Sequence, residues 1–133
     1  MMGTGIGSFL QRYFPRYYPR ETSRLALHER GFDFLEYRYL GRWKRREVAW
    51  ADIDRIDAGR IPTMTIDIAY LDLFLRDGQA IVVDELAKGF HELIAALEER
   101  WPEIGTRWTS IYTGPPNTSE HRTIWLRPRE TVY

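Results

Sequence analysis

Arg38, Arg42, Lys44, Arg45 and Arg46 fall within nine residues, interleaved with Tyr39 and Trp43. Guanidinium groups grip phosphate and carboxylate oxygens bidentately, and an indole can stack on a ring or insert at an interface. Such a cluster can hold a phosphate of lipid or nucleic acid, or engage a protein or peptide. The plainer alternative is that these cations balance an acidic segment further along, or keep an edge strand soluble. Tyr70 and Phe74 form a second candidate. They lie on the side of their strand opposite a row of leucines, and exposed rings accompanied by Arg are typical of interface hot spots. The alternatives are that the amino-terminal arm, with Tyr13, Phe14, Tyr17 and Tyr18, covers them itself, or that a homodimer forms by exchange of that arm.

The residue types that carry catalysis are present without the spacing that catalysis needs. His28, His91 and His121 are far apart in sequence and form no metal-binding pair. Asp52, Asp54 and Asp57 are close together, but glycosidase or two-metal chemistry requires carboxylates that converge across a cleft. Three on one short segment fit a solvated edge, or ion pairs with Arg55 and Arg60. Ser8, Ser23, Ser110 and Ser119 have no nucleophile-elbow context. The glycines of "GTGIG" at 3–7 lack the preceding strand of a nucleotide-binding loop. No cofactor is implied, and the chain reads as a non-enzyme.

Composition narrows the class further. The 133 residues carry no cysteine, which excludes disulfides, zinc–thiolate sites and thiol nucleophiles. Nineteen basic residues, only two of them Lys, balance nineteen acidic ones, but unevenly along the chain. Residues 1–46 hold ten basic against four acidic side chains, and residues 47–103 hold five against thirteen. No apolar run is long enough for a membrane span. The first ten residues have no basic head before their apolar part, so they read as a poor signal peptide and the protein as cytoplasmic. Aromatic content of 14% favours strands and binding surfaces.

These candidates must be positioned by a mostly β framework. Residues 1–23 read as an Arg- and Tyr-rich arm in which Pro15 and Pro19 forbid a long helix. "RLALHE", "FDFLEYRYL" and "WKRREVAW" read as strands joined at Arg30-Gly31 and Gly41, which places the Arg-rich cluster on a hairpin tip. The stretch "EVAWADIDRIDAG" has a helix-like spacing at Trp50, Ile53 and Ile56. Strands on either side favour a strand end, a corner at Ala51-Asp52 and a second strand. "TIDIAYLDLFLRDGQAIVVDE" is a hairpin: Leu71, Leu73 and Leu75 face one way, Tyr70, Asp72, Phe74 and Arg76 the other, and Asp77-Gly78 turns. Leu86, Phe90, Leu93, Ile94, Leu97 and Trp101 make one apolar stripe, which predicts a single helix ended by Pro102. In the remainder, "RWTSIYTG" reads as a strand, "PPNTSE" as a loop, and "RTIWLRP" as a short strand or docked tail.

This order resembles the pleckstrin-homology-like superfold, in particular its small bacterial members. The resemblance rests on the Trp50-x-x-Ile53-x-x-Ile56 corner, the "LFLRDGQAIVVDE" hairpin, and the helix opened by Gly89-Phe90 and closed by Trp101-Pro102. It covers residues 24–103 and leaves 104–133 as an extension packed on the domain. It implies an α+β, mainly β fold: a small barrel or roll of about seven antiparallel strands capped by one carboxy-terminal amphipathic helix. It also implies a binding module for phosphoinositides, peptides or other domains, some bacterial members being similar to immunity or accessory factors. In the lipid-binding members the basic residues gather on the first hairpin, whereas here they fall one hairpin later. The expected function is therefore protein binding, with a homodimer as one form of it. A binder of phosphate-bearing ligands, and a small enzyme with a pocket between barrel and helix, are the alternatives.

Overall fold

The computed structural model describes residues 23–37, 42–64 and 66–129. The amino-terminal arm lies outside them except for Ser23, which opens a strand, and so do Arg38 and Tyr39. Among the described residues, two antiparallel sheets and a pair of helices share one hydrophobic core. The first contains β1 (Ser23–His28), β2 (Gly31–Tyr37) and β3 (Trp43–Ala49), in that order. Phe32 and Phe34 of β2 alternate inward, which makes the strand an anchor for the core. Phe32 pairs across the sheet with Val48, and Phe34 with Arg46.

The stretch around Trp50 is a corner, as its neighbours imply. Three residues, Trp50–Asp52, form one 3-10 turn between β3 and β4 (Ile53–Pro62). Trp50 is buried and pins the turn: its backbone N–H donates to Arg30 O at 2.9 Å and its indole N–H to Glu29 O at 3.0 Å. Ile53 and Ile56 then enter the core. This turn breaks the ladder between β3 and β4, so the two consecutive strands belong to different sheets. The expected barrel is therefore not closed.

The second sheet has the order β6-β5-β4-β7, with β5 spanning Asp67–Leu75, β6 Ala80–Asp84 and β7 Glu120–Leu126. Leu71 and Leu73 of β5 are fully buried, while Tyr70, Asp72 and Phe74 share the opposite face. Gly78 closes the β5–β6 turn at φ 87°, a left-handed conformation that glycine adopts without strain.

Among the described residues, two helices rather than one cover the core. Helix α1 (Phe90–Arg100) starts four residues later than the apolar stripe suggests. Leu86 lies in a turn and is partly exposed, and Gly89 caps α1 at φ 94°, with Leu25 O only 3.0 Å from where a Cβ would stand. Phe90, Leu93, Ile94 and Leu97 face inward. Helix α2 (Glu103–Tyr112) contains "RWTSIYTG" up to Tyr112, which the sequence presents as a strand. The 4-3 spacing of Ile104, Trp108 and Ile111 puts all three on one buried helical face. That spacing outweighs the β-forming tendency of the Thr, Ile and Tyr among them. The chain then returns as β7 along β4, and Trp125 stacks on Trp101 with centroids 3.9 Å apart.

Candidate site on the outer face of the four-stranded sheet

Helix α2 packs against β4 and β7 on the core side of the second sheet, and α1 lies against α2 and β1. Strand alternation sends a second set of side chains outward: Arg55, Asp57 and Ile61 from β4, Tyr70, Asp72 and Phe74 from β5, Val82 and Asp84 from β6, and His121, Thr123 and Leu126 from β7. Gly59 sits among them. A Cβ there would press into the Tyr70 ring and stand 2.6 Å from Glu120 O, so the glycine lets Tyr70 lie flat across β4 toward β7.

At the centre, Asp57 is 4% exposed and fully engaged. Its Oδ1 accepts from Thr123 Oγ1 at 2.7 Å and lies 3.2 Å from Arg55 Nε. Its Oδ2 lies 3.0 Å from His121 Nε2 and also accepts from Arg55 Nη2 at 3.3 Å. The other ring nitrogen, Nδ1, is 2.8 Å from the Tyr70 hydroxyl, and the two rings stack at 5.9 Å. An ionised carboxylate can only accept, so in neutral His121 the proton sits on Nε2 and Nδ1 accepts from Tyr70. The network is thus a directed chain: Tyr70 to His121 to Asp57. Burial pushes the Tyr70 phenol above its usual range, and the Asp72 and Asp57 charges add to the shift. Burial also raises Asp72, with the Asp57 charge reinforcing it and His121 and Arg55 opposing it.

Around this polar centre lie apolar side chains and the Asp72 and Asp84 carboxylates. The Arg55 guanidinium lies over the Phe74 ring at 4.0 Å. Val82, Ile61 and Leu126 are 58%, 53% and 65% exposed.

The basic hairpin is arranged differently from its sequence. Trp43 and Arg45 project to one side of β3, Lys44 and Arg46 to the other, because neighbouring strand residues alternate. Arg45 is bound to Asp33 at 2.9 Å and Glu47 at 3.2 Å, and Arg46 donates to the Gln79 side chain. Trp43 meets the edge of Tyr37 at 5.5 Å, and the Arg24 guanidinium lies over its indole. Arg42 and Lys44 are exposed. Tyr70 and Phe74 belong to the other sheet, so the two candidate groups are separate surfaces.

The carboxylates at 52, 54 and 57 diverge. Asp54 lies 3.5 Å from both Arg76 and Arg127, Asp52 is exposed, and Asp57 joins the outer face. Arg55 pairs with Asp57 as the sequence suggests, but Arg60 is buried and donates to Gly114 O while lying 3.7 Å from Asp67. His91 packs between the Phe90 and Tyr112 rings. A cleft of about 550 Å³ between α1 and the β1–β2 turn is lined by His28, Glu29, Trp50, Glu99, Arg100 and Trp101. His121, Thr123 and Arg55 had no signal of their own as site residues. Alternation along "IDRIDAG" puts Arg55 and Asp57 on one face, but nothing in the sequence pairs residue 57 with residues 121 and 123.

No family model matches the chain, and no curated protein or solved structure is significantly similar to it. Among the described residues, no helix is long and apolar enough to cross a membrane.

Proposed function

We propose that the chain is a non-enzymatic binding module, on a pleckstrin-homology-like arrangement, that docks another protein through the outer face of the four-stranded sheet. The observation that carries this reading is the face itself: Phe74, Tyr70, Val82, Ile61 and Leu126 ring a fixed polar centre, and neither helix covers them. Apolar side chains around oriented hydrogen-bonding groups are the usual anatomy of a docking patch. The Tyr70–His121–Asp57 chain lies on an open sheet surface rather than in a cleft that could exclude water from a reacting bond, which favours recognition over catalysis. The fold assignment rests on the order β1 to β6 followed by α1, to which α2 and β7 are additions. A cytoplasmic setting belongs to the same proposal.

The test is affinity capture from a lysate of the source cell. Wild-type protein is compared with Tyr70→Ala/Phe74→Ala and with Arg42→Ala/Arg45→Ala. A stoichiometric partner retained by the arginine variant and lost by the ring variant is the expected result. Loss only in the arginine variant would move the interface to the hairpin and overturn the assignment.

A further inference from the structure

The charges on the outer face are unequal. Asp57, Asp72 and Asp84 project from its middle, where Arg55 is already shared between the Asp57 carboxylate and the Phe74 ring; Arg76, Arg127 and Arg129 lie at the Leu126 end. Among the described residues, the Asp72 carboxylate has no hydrogen-bond or ion-pair partner of its own. The Tyr70 hydroxyl spends its single proton on His121 Nδ1, so the oxygen turns lone pairs outward. The face therefore presents acceptors and negative charge between two aromatic rings, a setting that attracts a cation both by charge and by the ring quadrupoles.

We infer that the centre of this face, between Tyr70, Asp72 and Phe74, receives a cationic side chain of the partner, an Arg or a Lys, and releases it when His121 is protonated. The inference rests on the docking role proposed above. The groups facing His121 are Arg55 and Asp57 from β4, Tyr70 and Asp72 from β5, and Asp84 from β6 beyond Tyr70. When both ring nitrogens of His121 carry protons, both must donate. Asp57 still accepts from Nε2, but Tyr70 must now accept from Nδ1 and turn its own hydrogen outward. One proton thus converts an acceptor on the face into a donor and adds a positive charge beside it. A docked cation loses on both counts.

The probes are two peptides, acetyl-Trp-Arg-Trp-amide and acetyl-Trp-Gln-Trp-amide, titrated into the full chain and followed by backbone amide NMR. The titrations are run at about pH 8 and about pH 5, with the protonation state of His121 read at each from its ring nitrogen shifts. At the higher pH the Arg peptide should shift amides of β4, β5 and β7 and bind roughly threefold or more tightly than the Gln peptide. That preference should vanish where the ring nitrogens report a doubly protonated His121, and in Asp72→Asn at either pH. The nitrogen shifts of His121 should report the Nε2–H form at the higher pH. Equal affinities for the two peptides at this face would overturn the cation inference and leave the docking face standing. Shifts confined to the β2–β3 hairpin, or no shifts, would overturn the inference outright. So would the Nδ1–H form of His121.

Discussion

Asp57 shows why one residue can govern a whole surface. A carboxylate this buried is tolerated only because Thr123, His121 and Arg55 supply donors to both of its oxygens. Asp57→Ala would strand all three and should cost about 3 kcal/mol of folding stability, read from urea denaturation. A loss below about 1 kcal/mol would mean that the network contributes little to the fold. Asp72 should behave in the opposite sense. Its folded-state pKa is raised, chiefly by burial. The stability it contributes is therefore present at pH below the ordinary aspartate range and lost as pH rises through the raised value. Asp72→Asn abolishes that ionisation, so the variant should gain stability relative to wild type at neutral pH and show no gain at acid pH. Urea midpoints at the two pH values decide the matter, and a gain confined to acid pH would contradict the sign. Tyr70 and Phe74 were legible as outward residues because strand alternation fixes the side on which they project. Their partners were not, because the link from residue 57 to residues 121 and 123 depends on how β7 registers against β4, and no local pattern encodes it.

Elements were legible where the apolar period was clean and failed where a local preference competed with packing. The 70–84 hairpin combines strict alternation with Asp77-Gly78, and the structure follows it closely. The corner at Trp50 depended on context: its helical spacing is real, but a 3-10 turn between two strands satisfies it in three residues. Leu86 fits the helical stripe in sequence and yet precedes the helix, because Gly89 in its left-handed conformation sets the start of α1. This yields a paired prediction. Leu97→Ala, in the fully buried row, should destabilise by about 3 kcal/mol, whereas Leu86→Ala should change stability by less than about 0.5 kcal/mol. Comparable losses at the two positions would place Leu86 in the core. Helix α2 is the clearest misreading: β-branched and aromatic residues suggested a strand, and the inward face of Ile104, Trp108 and Ile111 prevailed.

For the molecule as a whole, α+β character with a dominant share of strand could be read from the sequence; closure could not. Whether sheets join into a barrel depends on ladders between strands distant in the chain, and a corner such as Trp50–Asp52 decides against it locally. Among the described residues, the cations of the basic hairpin do not gather on one surface. Arg45 and Arg46 point to opposite sides of β3 and are engaged with Asp33, Glu47 and Gln79. Under the proposed function, the surface offered to a partner among the described residues is the outer face of the second sheet. The most direct test of that claim is site-specific photo-crosslinking in the source cell, with benzoylphenylalanine incorporated in place of Phe74, Glu99 or Lys44. The account predicts a crosslinked partner from position 74 and none from the α1 position, 99, or the hairpin position, 44. Crosslinks from 44 or 99 with none from 74 would contradict it.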